Sequence, residues 1–352
     1  MIDLADAGAV KAADPGGMLA DVLDSAGQFE AARASAVGMR KDLPTRAERI
    51  VYLGMGGSGI AGDALVALAA DTSPAPIVVV KDYTLPAFAQ GPETLVIACS
   101  YSGNTEETLS GFEQARRRGC RTVGITSGGE LAKLCADHGF PIIEVPTGIQ
   151  PRAAFPSLLA ATLTIAETAG ALKDISEEVA AAVAAMEQTA ADGHPDGGGG
   201  FPRQLAERMH GKHVHIWGMA DLAGVVASRW KNQIQENAKA PASNASLPEL
   251  DHNEIMSYDP GEATLQQTLL VILRHDGEHP RVALRVEITR ELIAGRNADE
   301  IMVRTHAPGD LATLMDLVLT GDLASVYLAF LRGIDPSPVP AIESLKRRLA
   351  DA

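Results

Sequence analysis

The chain has 352 residues, of which 46% are apolar and 21% charged, and a formal net charge of −15. That length suits two domains of roughly 150 residues each. The acidic balance, with only 4% aromatic residues, argues against a nucleic-acid surface, so any anion must be captured locally by backbone N–H groups, hydroxyls or single cations.

Residues 1–45 read as a helical segment, with apolar residues at helical spacing in "DPGGMLADVLDSAGQFEAARASA" and a Pro-Gly start signal. The N-terminus carries acidic residues and no basic-then-apolar pattern, so no export is expected. Cys99, Cys120 and Cys135 sit at no metal-like spacing, and a cytoplasmic location is the expectation. No apolar run is expected to approach the ~20 residues of a membrane span.

Strands and helices then alternate. "RIVYLGM" reads as a strand and 60–70 as a helix; "PIVVVK" and "TLVIACS" are strands, followed by a helix over 105–118. "TVGITS" is a strand, 130–137 a helix and "PIIEVP" a strand. Apolar runs separated by helices indicate a parallel sheet covered on both faces, an α/β doubly wound fold. The basic run Arg116–Arg118 reads as a solvated helix face. Residues 158–191 make one long helix or two, and "DGHPDGGGG", 192–200, reads as a linker.

Beyond it lies a worn second copy. "KHVHIWGMADLAGVVASRW" repeats the strand, Gly-Met turn and helix of "ERIVYLGMGGSGIAGDALVAL", and "TLLVILRHDGEHPRVALRVEITRELIAG" repeats the strand, turn and helix that follow; "EIMVRTHAPG" would be the next strand. The second copy lacks the glycines and serines of the first, which assigns any phosphate chemistry to the first. The expected division is 1–45 helical, 46–150 first α/β domain, 151–200 helical connection and linker, and 201–352 second α/β domain.

The stretch "VYLGMGGSGIAGD" carries Gly54-x-Gly56-x-x-Gly59, which satisfies a dinucleotide fingerprint, and Gly56-Gly57-Ser58-Gly59, an anion cradle with a hydroxyl. Glycines between a strand and a helix aim unpaired N–H groups and the helix dipole at one spot. Asp82, after the next strand, could serve as a ribose contact, so a nucleotide is not dismissed on spacing. "CSYSGNTEET" decides for something smaller. It offers the Ser100, Ser102 and Thr105 hydroxyls, with Gly103 allowing close approach and Asn104 or Thr105 as helix caps. Two such neighbouring loops would surround one compact phosphate.

"GMGGSGIAGD" with "SYSGNTEET" closely resembles the sugar isomerase (SIS) domain, and the tandem arrangement resembles the phosphoglucose isomerase superfamily. "DPGGML", "PRAAF", "KNQIQENAK", "LDHNEI" and "DPSPVPAIESLKRRL" narrow the likeness to the bifunctional phosphoglucose/phosphomannose isomerases, nearly end to end. The resemblance implies two flavodoxin-like SIS domains and an aldose–ketose isomerase of sugar phosphates in central carbohydrate metabolism. It implies Glu236 as the base that shuttles a proton between C1 and C2, a task suited to a carboxylate. His252 is the implied ring-opening acid/base, reaching the partner subunit's site in a homodimer; near-neutral titration suits it. Lys346 would assist ring opening, and Arg152 would face the enediolate's charge. Ser337 is the nearest candidate for the hydroxyl that accommodates both epimers, where relatives often have Thr. "QENAK" stands where many relatives read "NENAK".

Three rivals stay open. His213 and His215 on one strand face, with His252 and Glu254, could bind a metal, although an enediol shuttle needs no Lewis acid and no metal or cofactor is expected. A non-catalytic sugar-phosphate sensor would keep the hydroxyls and could discard Glu236 and His252. A dehydrogenase would need a nicotinamide-side motif, and none is found.

Overall fold

The computed structural model describes residues 2, 4, 6–258, 263–296 and 299–351. Three helices, α1 (Ala7–Ala13), α2 (Met18–Leu23) and α3 (Ser25–Gly38), precede the first sheet. The first half then runs β1 (Arg49–Leu53), α4 (Gly56–Ala69), β2 (Ile77–Val80), β3 (Thr94–Cys99), α5 (Glu106–Arg117), β4 (Arg121–Thr126), α6 (Gly129–His138) and β5 (Ile142–Glu144). Helices α7 (Phe155–Thr168), α8 (Ser176–Asp192) and α9 (Gly200–Met209) lead to the second half. That half runs β6 (His213–Met219), α10 (Leu222–Asn237), β7 (Ala242–Leu247), β8 (Thr268–Arg274), α11 (Pro280–Leu292), β9 (Asp299–Arg304), α12 (Asp310–Leu331) and α13 (Pro340–Ala350).

Both sheets are wholly parallel, ordered β2-β1-β3-β4-β5 and β7-β6-β8-β9. The second repeats the order of the first with one strand fewer, as expected of a second copy. In this winding the strand order reverses between β1 and β3, and folds of this kind bind ligands beyond the carboxyl ends of the strands at that point. Every residue of β3 is buried, which explains its unbroken apolar run. The expected helix over 158–191 is two, α7 and α8, because Gly170 takes a left-handed φ of 78° after α7.

The two halves share a helical core. Helix α4 packs on α7 and α10, and α12 packs on α8, α9 and α10. Gly321 of α12 leaves room for the indole of Trp230, whose Nε1 donates to Leu317 O at 2.8 Å. Helix α12 corrects one sequence expectation: it is long and apolar enough for a membrane span. Yet 94% of its apolar window is buried in the protein, so its apolarity serves the core.

Candidate active site

The first loop turns directly from β1 into α4. Gly56 adopts φ 51°, a left-handed value that favours glycine, and no side chain caps the start of α4. Its first turn carries no acidic residue, so its N–H groups and dipole are left to an external anion. A Cβ on Gly57 would stand 3.2 Å from Pro151 O and 3.4 Å from Arg152 Cα, so the glycine lets that backbone lie on the loop. Ser58 is buried, and its Oγ accepts from Tyr101 N at 3.2 Å, tying the first loop to the second.

In the second loop Ser100 Oγ and Thr105 Oγ1 are hydrogen-bonded at 2.8 Å. Thr105 takes the N-cap position of α5 without a side-chain capping bond, because its hydroxyl is turned to Ser100. Asn104 does not cap α5 either: its Oδ1 accepts from Glu130 N at 3.0 Å, at the start of α6. Ser102 is exposed and its Oγ accepts from Asn104 N at 3.3 Å. The Asp82 carboxylate turns back on its own loop, accepting from Tyr83 N at 2.6 Å.

Arg152 is 3% exposed. Its Nε donates to Asn237 Oδ1 at 2.5 Å, and its Nη2 to Pro336 O at 2.5 Å and Ser337 O at 3.1 Å. Burial pushes the guanidinium below its ordinary pKa, while the nearby Glu236 and Asp335 carboxylates pull it back. Glu236 lies half-buried in the last turn of α10, and among the described residues its carboxylate has no hydrogen-bond or ion-pair partner. Ser337 is 7% exposed and its Oγ has no partner either, with Gly16 of the early "DPGG" packed too closely beside it to carry a Cβ. Arg152 therefore lies beside the first loop, bonded to the Ser337 backbone and near the Glu236 carboxylate.

His252 does not join them within one chain. His252 is exposed in the turn that follows β7, whereas Glu236 precedes β7. Six residues at about 3.3 Å each put the strand's ends roughly 20 Å apart. Lys346 is exposed on α13 and unpartnered among the described residues.

Two histidines weighed for a metal are engaged otherwise. Ser243 Oγ bonds His213 Nε2 at 2.9 Å and His215 Nδ1 at 2.6 Å, and Glu254 Oε1 bonds His215 Nε2 at 2.6 Å and Trp217 Nε1 at 2.9 Å. Burial opposes the charge on Glu254, but the bonds from His215 and Trp217 hold its carboxyl below the usual range. Among the described residues no group of three or more His, Cys, Asp and Glu could hold a metal ion.

The second copy differs where it matters. Asp221 caps α10, its Oδ1 accepting from Ala223 N at 2.9 Å while its Oδ2 meets His275 Nε2 at 3.2 Å. A carboxylate thus already occupies the helix start that in the first copy is open to an anion.

Sequence reasoning missed Lys239 and Asn237. The Lys239 Nζ donates to Glu236 O at 2.6 Å and Pro336 O at 2.8 Å, and Asn237 Nδ2 donates to Ser325 Oγ at 2.9 Å. Their presence in "QENAK" was the available signal.

Residues 45–195 match the SIS domain model, and residues 202–349 match the bacterial phospho-glucose isomerase C-terminal SIS domain model. The crystal structure of a hypothetical protein from Thermus thermophilus shares the fold, with a TM-score of 0.74 at 17% identity over 98% of this chain and 93% of that one. The chain is thus a tandem SIS-domain protein. A bifunctional phosphoglucose/phosphomannose isomerase of Caldicellulosiruptor bescii is 34% identical over 91% of this chain and 95% of its own, and one of Aquifex aeolicus 38% identical over 88% and 92%. This chain belongs to the bifunctional phosphoglucose/phosphomannose isomerase family.

Proposed function

We propose that the protein interconverts glucose 6-phosphate and mannose 6-phosphate with fructose 6-phosphate through an enediolate, using its own side chains. The observation that carries this reading is the meeting of an unpartnered carboxylate, Glu236, and a buried guanidinium, Arg152, beside the uncapped start of α4.

In this reading the substrate phosphate rests on the amides of Gly56 and Gly57 and the hydroxyls of Ser58, Ser100, Ser102 and Thr105. Glu236 takes the proton from C2 of the open-chain aldose. The C–H electron pair becomes the C1–C2 double bond, and the carbonyl pair moves to O1 as negative charge facing Arg152. Return of the proton to C1, with a proton passing from O2 to O1, gives the ketose. In the reverse direction C2 of the enediolate is planar. A proton delivered to one face gives glucose, and to the other mannose; the free Ser337 hydroxyl suits either 2-OH.

Ring opening falls to His252 of a second subunit, assisted by Lys346, in a cytoplasmic homodimer with shared sites. Several observations support this part. His252 is exposed and remote from Glu236 in its own chain. Leu284, Ile288 and Leu292 form an exposed apolar stripe on α11, which Asp251 beside His252 grips through Arg285 and Thr289. Helix α13 likewise exposes Ile342, Leu345 and Leu349 around Lys346.

The test is turnover of fructose 6-phosphate by the purified protein in EDTA, following glucose 6-phosphate and mannose 6-phosphate separately. Both products are expected. One product alone would limit the reading to a single epimer, and no product with retained sugar-phosphate binding would make the protein a sensor.

A further inference from the structure

Arg152 and Lys239 converge on one atom. Arg152 Nη2 lies 2.5 Å and Lys239 Nζ 2.8 Å from the carbonyl oxygen of Pro336. Two like charges so close repel each other, and the repulsion grows as water is removed. Neither has an ion-pair partner among the described residues; their bonds go to backbone carbonyls and the Asn237 amide oxygen. A chain with a net charge of −15 has no shortage of carboxylates to pair with them.

The backbone at Lys239 is also held in an unfavourable place. Its φ of 51° makes it the one non-glycine residue in the left-handed region among the described residues. Such strain persists where surrounding contacts over-determine it, and here those contacts are the ammonium's own bonds to Glu236 O and Pro336 O. They fasten the end of the helix bearing Glu236 to the loop bearing Ser337. Burial, and then Arg152, push the ammonium below its ordinary pKa, while the Asp335 and Glu236 carboxylates only partly offset them.

We infer that Lys239 is a positioning residue of the isomerase site: it fixes the end of α10 that carries Glu236 and, with Arg152, supplies the positive field in which the anionic intermediate is held. The inference rests on the isomerase reading. It adds a second cation, one that acts through the Pro336 carbonyl and the helix end and makes no contact with the reacting atoms.

The experiment compares two inhibitors of equal length, a sugar-acid phosphate whose carboxylate mimics the enediolate and the corresponding sugar-alcohol phosphate. In Lys239→Gln, affinity for the acid is expected to fall about ten-fold or more, while the alcohol changes by less than about two-fold. The turnover number should fall with little change in KM. Lys239→Arg, which keeps the charge, should recover most of the preference for the acid. Lys239→Asn tolerates the left-handed backbone, and it should behave as Lys239→Gln does if charge and tether, not backbone strain, are what matter.

Equal weakening of both inhibitors, or none, would overturn the inference, as would Lys239→Asn behaving as wild type. Wild-type turnover of fructose 6-phosphate is measured alongside. If it is absent while the acid's advantage still vanishes in Lys239→Gln, the isomerase reading fails and the Lys239 anion field stands.

Discussion

Arg229 and Asp322 form a two-bond ion pair sealed between α10 and α12, with Nε to Oδ1 at 3.0 Å, Nη2 to Oδ2 at 2.5 Å and side chains 2% and 6% exposed. The same Nη2 donates to Arg152 O at 2.9 Å, and the guanidinium lies 4.4 Å from the centre of the Phe155 ring. One cation thus ties both helices to the residue proposed to face the enediolate. Removing only the carboxylate strands a buried charge, so Asp322→Ala should lose about 3–5 kcal/mol of stability. Replacing both partners by apolar residues of similar volume should cost less. Urea unfolding of the three proteins checks both statements.

The Ser100–Thr105 hydroxyl pair is set before any ligand arrives. Each hydroxyl lost from the cradle should raise KM for the sugar phosphate about ten-fold or more, with the turnover number nearly unchanged. Ser100→Ala and Thr105→Val, assayed at steady state, give the comparison. A fall in turnover number at constant KM would place these hydroxyls at the reacting carbons.

Glu236→Gln should lower the turnover number by about 10²–10⁴-fold, the usual contribution of a general base. His252→Ala should impair reaction of the closed ring far more than that of the open chain. If each site draws Glu236 from one subunit and His252 from the other, mixing the two variants creates dimers with one intact site. Random exchange would then restore about a quarter of wild-type activity. Subunit-exchange assays read this directly, and no recovery would show that each chain uses its own His252.

Asp299 accepts from Arg208 at 2.6 Å and Lys212 at 2.8 Å. The Arg208 bonds, and after them Lys212, hold its carboxyl well below the usual carboxylate range, although partial burial opposes this. A depressed pKa contributes stability above the unfolded value of about 4, and that contribution is lost as pH falls through the folded value. Asp299→Asn should therefore be less stable than wild type at neutral pH, and the gap should close on acidification. Thermal melts of both proteins across that range test the sign.

The strand–loop–helix units of the first half were legible because their strands are continuous apolar runs and their turns are glycine-rich. Strand β7, "ASNASL", was not read as a strand. It lies at the sheet edge, paired only to β6, with its four central residues only partly buried, so small polar residues suffice there. The glycines of 192–200 looked like slack but form a tight corner. Asp192 Oδ2 accepts from Phe201 N at 3.2 Å, and Gly193 O accepts from the Tyr327 hydroxyl at 2.6 Å. Arg152 and Glu236 were singled out through the family resemblance of "PRAAF" and "QENAK". Lys239 was not, since a lysine after a helix reads as a solvated complement to the dipole, and its key acceptor lies 97 residues away.

Helix α10 joins the histories of the two copies. Its first turn carries the Asp221 cap that closes one copy's anion site, and its last turn carries the carboxylate assigned to the other's chemistry. At 1.5 Å per residue the two ends are about 24 Å apart. Severing the chain at the glycine corner would therefore separate a cradle with no base from a base with no cradle. On that assignment, the span of this one helix makes the two halves depend on each other.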